Sequence, residues 1–197
     1  QYLIVCPLVF VAGLVDSIAG GGGLIALPAY LIAGVPAHMA LGTNKMSSAM
    51  GTVVSTARFA RNGYLRGKML MAACSAAAAL IGSALGAHLA LMVSEEIIKL
   101  MMIVVLPIVA FYVLRNKDMG ENEKTGTIPQ VKVFAICIAA AFFIGGYDGF
   151  YGPGTGTFLI LILTGAARLD TRSASAQTKV INLSSNIAAL VTFLING

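Results

Sequence analysis

Residues 69–93 read MLMAACSAAAALIGSALGAHLALMV, from Met69 to Val93, without a single Asp, Glu, Lys or Arg. About 20 predominantly apolar residues are enough for a helix to cross the hydrocarbon core of a bilayer. A helix at a protein–water boundary keeps a polar face, and this stretch has none. It therefore reads as a transmembrane span. Downstream, Ile97–Leu114 carries only Lys99, close enough to its start for the ammonium to reach the interface. Further apolar stretches run over 2–15, 24–35, 46–57, 133–147, 157–167 and 180–195. Charged residues make up 11% of the 197 and hydrophobic ones 58%, with a mean hydropathy of +0.88. Soluble proteins carry roughly 25% charged residues. The sequence predicts an all-α, polytopic transmembrane bundle.

The net charge of +5 comes from basic residues in short loops beside apolar segments. That is a topology signal, not a nucleic-acid footprint. Cys6, Cys74 and Cys137 each lie inside an apolar run, without metal-site or redox spacing. No charged segment precedes the apolar run at Tyr2–Val15, so it does not read as a signal peptide. No cofactor motif and no metal set is visible, and an intramembrane enzyme would need a Ser/His/Asp set or an HExxH helix that the sequence does not offer. His38 and His88 have no symmetric partners.

Two glycine-rich stretches open a second level of organisation. Gly13-Leu-Val-Asp16-Ser-Ile-Ala-Gly20-Gly-Gly22 is matched by Gly145-Gly-Tyr-Asp148-Gly-Phe-Tyr-Gly152-Pro-Gly154. Further on, Ala40, Lys45, Phe59, Asn62 and Gly63 match Ala174, Lys179, Phe193, Asn196 and Gly197 in the same order. Order and near-constant offset indicate a duplication, a common scaffold of secondary transporters. The polar stretch Arg115–Lys132, with Asp118, Glu121, Glu123 and Gly126, separates the halves. The division is then a first membrane repeat over 1–115, a cytoplasmic linker over 116–132 and a second repeat over 133–197. Gly63 is followed by two spans, so the symmetry leads to the expectation that the second repeat is truncated by about two helices.

Arg58, Arg61, Arg66 and Lys68 share one acid-free loop, which places that loop on the cytoplasmic side. Counting crossings from there gives the two repeats opposite orientations. The short, Gly-interrupted segments predict broken or re-entrant helices, tolerated only where protein or a watery cavity surrounds the irregular backbone.

The candidate site follows from the duplicated loops. Gly20, Gly21, Gly22 and Gly23, and likewise Gly152, Gly154, Thr155 and Gly156, lie just ahead of apolar helices. Glycine frees backbone amides to face a ligand, and a helix N-terminus favours an anion. The bland alternative is tight turning and close packing, which is the reading for Gly82-Ser-Ala-Leu-Gly86. Lys45 and Lys179 take equivalent places in the two halves, and an ammonium in that setting requires a partner or water. Thr43, Asn44, Thr178 and Asn182 supply neutral donors beside them, with Gln177 and the Ser47, Ser48, Ser184, Ser185 and Asn186 side chains nearby. Asp16 and Asp148 either take up a proton or cap the loops and pair with a lysine.

The segments Asp16-Ser-x-x-Gly-Gly-Gly-Gly23, Ala40-Leu-Gly-Thr-Asn-Lys45, Tyr147-Asp-Gly-Phe-Tyr-Gly-Pro-Gly-Thr-Gly156 and Ala176-Gln-Thr-Lys-Val-Ile-Asn182 resemble, in this order, the TauE/SafE family of sulfite exporter-like permeases. The resemblance implies a multi-pass protein of the bacterial plasma membrane that moves small sulfur-containing anions such as sulfite or organosulfonates. The expected partners are a small anion and the lipid bilayer, with a homo-oligomer left open and nucleic acid excluded. Competing readings are a proton-coupled transporter of another small solute and a non-transporting membrane subunit.

Overall fold

A computed structural model describes residues 2–19, 21–115 and 128–196. Eight helices account for nearly all of it: α1 (Tyr2–Ala19), α2 (Gly23–Ile32), α3 (Ala37–Arg61), α4 (Met69–Met92), α5 (Glu95–Arg115), α6 (Gln130–Phe150), α7 (Thr155–Gly165) and α8 (Thr171–Asn196). No strand occurs among the described residues. The acidic linker residues Asp118, Glu121 and Glu123, with Gly126, lie outside the described residues, and α6 begins inside the expected linker, at Gln130.

Four helices are long and apolar enough to cross a membrane: Met69–Met92, Glu95–Val113, Gln130–Phe150 and Thr171–Asn196. Two of these, at 97–114 and 69–93, were legible as complete spans from composition. The apolar stretch at 180–195 belongs to a helix that starts at Thr171, and the one at 46–57 to a helix running from Ala37 to Arg61. Their extra turns carry polar residues that face protein, among them Asn44, Lys45, Gln177 and Lys179, all buried. Hydropathy misses such turns because their polar side chains are turned into the protein and away from lipid. Large apolar side chains cover the outside instead, with Phe10, Ile103, Phe111 and Phe143 each at least 65% exposed. In water such a surface would aggregate; against lipid it is the solvated face.

The element lengths repeat. A long helix, a short one and a longer one occur as α1–α2–α3 and again as α6–α7–α8. At 10 and 11 residues, α2 and α7 rise only ~15 Å, half a hydrocarbon core. The apolar core forms two main clusters. One gathers Val5 and Val9 of α1 and Tyr30 of α2 with Ala37, Ala90, Ile98 and Phe193. The other gathers Val133 of α6 and Leu163 of α7 with Met71 and Ala174. Each long–short pair is thus a hairpin, the first packed against the beginning of α3 and the end of α4, the second against the beginnings of α4 and α8.

Helix α4 packs side by side and in the same direction as α6. A Cβ at Gly82 would collide with the Phe142 carbonyl oxygen, one at Gly86 with that of Gly146, and one at Gly149 with that of Ser83. Small residues let the backbones approach to contact, the role expected for Gly82–Gly86. The Ser83 hydroxyl donates to the Ser185 carbonyl and locks α4 onto α8. Helices α3 and α8 run antiparallel: Gly42 lies against Phe193 near one end, and Thr56 donates to the Lys179 carbonyl nearer the other (3.1 Å).

At the end of the bundle where α4 begins, Lys68 donates to Ser173 (2.7 Å) and lies 3.7 Å from Asp170. Asp170 caps α8 by accepting from the Ser173 amide (2.9 Å). Burial alone would raise the Asp170 carboxyl, but the Ser173 hydrogen bonds and the Lys68 ammonium outweigh it and hold it below the usual carboxylate range.

A candidate anion site where two hairpin tips meet

Each hairpin turns at its glycine loop, and the loops touch. A Cβ built on Gly23 would stand 3.6 Å from Pro153 Cα. In the second loop Gly152 (φ +99°) and Gly154 (φ +81°) adopt conformations that L side chains rarely reach. The loop is pinned by the Tyr147 hydroxyl donating to the Pro153 carbonyl (2.6 Å). In the first loop the Gly22 amide donates to Asp16 Oδ1 (3.1 Å). Gly22 is packed so closely on α1 that an added Cβ would lie 2.5 Å from the Ala12 carbonyl oxygen.

Two lysine–aspartate contacts cross between the halves of the chain. Lys45 of α3 puts Nζ 2.8 Å from Asp148 Oδ1 of α6, with both side chains almost fully buried. Asp148 also accepts from the Thr155 hydroxyl (2.8 Å) and the Ser185 hydroxyl (2.7 Å). Lys179 of α8, only 8% exposed, reaches back to α1 and donates to the Asp16 carbonyl oxygen (3.3 Å). The second pair is looser than the first, because the ammonium rests on the backbone of Asp16 and not on its carboxylate.

Two cavities flank these pairs. One of about 10 Å³ is enclosed by Asp16, Gly23, Asn44, Lys45, Ser48, Asp148, Gly152, Thr155, Asn182 and Asn186. The other, about 60 Å³, is bordered by Asp16, Gly22, Asn44, Ser48, Thr52 and Lys179 among others. A site that holds one water needs roughly 10–15 Å³ by this measure. The smaller cavity therefore has room for about one water, the larger for several waters or a small polyatomic anion. Lys179 supplies the larger cavity's cationic donor and Asp16 its carboxylate.

The structure gathers Asp16, Gly22, Gly23, Asn44, Lys45, Asp148, Gly152, Thr155, Lys179 and Asn182 around the meeting point of the loops. Gly20 lies outside the described residues. Thr43 is not at the site: it is exposed, donates to the Met39 carbonyl (2.7 Å) and borders a separate groove with His38 and Phe193. Gly21 faces Leu24 and Val15, and Gly154 faces Val109 and Phe158. Gly156 and Thr178 are buried but line neither cavity. The Gly22 amide is not free for a ligand, since Asp16 already takes it. His38 holds α3 to the end of α4, its Nε2 lying 3.1 Å from the Ala90 carbonyl and 3.2 Å from that of Val93. Thr52 and Ser55, which border the larger cavity, were not legible as site residues, because a hydroxyl in a helix looks the same whether or not it borders a cavity.

The surroundings of the two carboxylates differ. Around Asp148, α4 fills the space: Gly145 lies 3.0 Å, by its added Cβ, from Ala79 Cα. The counterpart of Gly145 is Gly13, and at the second offset Ser185 corresponds to Gly51. A Cβ at Gly13 or Gly51 meets nothing within 4 Å, and both residues border the larger cavity.

The sequence profile described as Sulfite exporter TauE/SafE matches residues 5–197. The chain belongs to the TauE/SafE family. It is 39% identical over 190 residues to "Probable membrane transporter protein ORF9" of a Sinorhizobium species, covering 95% of this chain and 70% of that protein. Similar relatives are a "Probable membrane transporter protein" of Haemophilus influenzae, 34% identical over 188 residues (95% and 72%), and "Probable membrane transporter protein YfcA" of Escherichia coli, 31% identical over 188 residues (94% and 67%). No solved structure matches the chain. TauE/SafE membership makes this a membrane transporter chain, and its apolar helices fit that class.

Proposed function

We propose that the chain is the substrate-binding part of a secondary permease that moves small anions, sulfite or organosulfonates foremost, across the bacterial plasma membrane. The observation that carries this reading is the crossed pairing of Lys45 with Asp148 and of Lys179 with Asp16 where two opposed hairpins meet. Two ammonium groups buried half-way along a membrane bundle are costly, each by several kcal/mol. Paired across an interface, they form contacts that a rocking motion can exchange. The antiparallel packing of α3 and α8 supports two inverted repeats as the moving parts. Lys179 is the group that meets the anion in this conformation, because Lys45 is held by Asp148 and the Asp16 carboxylate leaves Lys179 unclamped. Asn44, Ser48 and Thr52 complete a polar wall.

The test is uptake of sulfite and of methanesulfonate by liposomes containing the full-length protein. Lys179→Gln and Lys45→Gln are each expected to abolish uptake with the fold retained by circular dichroism and size-exclusion chromatography. Undiminished uptake by both variants refutes the anion site.

A further inference from the structure

We infer that Asp16, and not Asp148, is a proton site that loads together with the anion, so that a singly charged anion and one proton cross as a neutral pair. This rests on the anion site proposed above and deepens it by assigning the coupling ion and its residue. The charged groups facing Asp16 are Lys179 from α8, Lys45 from α3 and Asp148 from α6; the loop ahead of α2 brings the Gly22 amide. With two ammonium groups and two carboxylates, the unloaded cluster sums to zero formal charge. A monoanion entering the roughly 60 Å³ cavity has both Lys179 and the Asp16 carboxylate as walls. It would leave one uncompensated negative charge in a low-dielectric interior, the arrangement that burial penalises most. A proton from water taken onto an Asp16 carboxylate oxygen removes that charge; the anion adds one negative charge, the proton one positive, and the net change is zero.

Geometry selects Asp16. Asp148 has its oxygens committed to Lys45, Thr155 and Ser185, and the cavity beside it admits about one water. A proton there would displace a buried salt bridge. Asp16 Oδ1 accepts one backbone amide, the nearest ammonium sits on its carbonyl and not its carboxylate, and its side chain borders the larger cavity. A neutral Asp16 can keep the Gly22 contact through its carbonyl oxygen and turn its new O–H toward the anion.

Methanesulfonate is the suitable probe, because it stays singly charged and carries no proton of its own near neutral pH. Calorimetric titration of the full-length protein in detergent, in two buffers of different ionisation enthalpy at pH 7.5, counts protons taken up per anion bound. About one proton per methanesulfonate is expected for the wild type and none for Asp16→Asn, whose uncharged amide stands in for the protonated carboxyl; loss of methanesulfonate binding by Asp16→Asn while the wild type binds also overturns the proton site. In liposomes, an inward proton gradient is expected to drive wild-type methanesulfonate accumulation at least tenfold and to have no effect on Asp16→Asn. Binding without proton uptake, or equal uptake by wild type and Asp16→Asn, overturns the proton site and leaves the anion site standing. No binding of methanesulfonate or sulfite overturns both.

Discussion

Lys45 and Asp148 lie 2.8 Å apart in the interior, although each has its sequence counterpart in the opposite half of the chain. The lysine of the first half neutralises the carboxylate of the second, and the lysine of the second half leans on the aspartate of the first. Each half therefore contributes a lysine to the hairpin tip of the other. Removing one member of a buried pair strands the other, typically at about 3–5 kcal/mol. Lys45→Met and Asp148→Asn are each expected to destabilise the protein by about that much, and the double variant by clearly less than the sum. Thermal melts of the four proteins in one detergent give the coupling directly.

The close approach of α4 to α6 makes a sharper steric prediction. Gly149→Ala drives a methyl group into the Ser83 carbonyl oxygen, backbone that cannot swing away. A loss of at least 1–3 kcal/mol is expected from such overpacking. Gly13→Ala on α1 meets nothing within 4 Å and is expected to be neutral or to stabilise by up to ~1 kcal/mol through helix propensity. Comparing melting temperatures of the two variants checks the packing asymmetry between the halves.

Gly152 combines a left-handed backbone with contact to the ion pair. At φ +99°, a Cβ would stand 2.6 Å from Lys45 Nζ and 3.0 Å from Asp148 Oδ1. Gly152→Ala is expected to separate the pair and reduce anion uptake at least tenfold, whereas Gly165→Ala, in open space at the end of α7, leaves uptake within twofold.

At the end of the bundle where α8 starts, the depressed Asp170 carboxyl ties stability to pH. A carboxyl lowered in the folded state stabilises above its unfolded value, near 4, and loses that contribution as pH falls through the folded value. The melting temperature of the wild type is expected to fall more than that of Asp170→Asn between pH 5 and pH 3. Because the side chain is about half exposed, the difference is small. Asp170→Ala also removes the α8 cap and costs about 0.5–2 kcal/mol at neutral pH.

Much of this arrangement was legible in the residues. Asp16 and Asp148 sit in matched glycine contexts, and that match placed both carboxylates at hairpin tips. Gly82 and Gly86 have the spacing of a helix-packing face and form one. The crossing of the pairs was not legible, because nothing local distinguishes Lys45 paired with Asp16 from Lys45 paired with Asp148. Thr43 was grouped with Lys45 by sequence proximity, but two residues along a helix turn it about 200°, onto another face. The polar early turns of α3 and α8 escaped hydropathy for a physical reason: Asn44, Lys45, Gln177 and Lys179 face protein and not lipid. The open face beside Gly13 and Gly51 is a property of packing, visible only once α4 is seen filling the corresponding space beside Gly145.

The meeting of the two hairpin tips is tested most directly by oxidative cross-linking of Gly23→Cys with Pro153→Cys in a background where Cys6, Cys74 and Cys137 are replaced by serine or alanine. A Cβ at position 23 lies 3.6 Å from Pro153 Cα, within reach of a disulfide. The expected result is efficient cross-linking that arrests methanesulfonate uptake until the bond is reduced. Failure to cross-link, or undiminished uptake by the cross-linked protein, would contradict a transport site built from two tips that separate and rejoin.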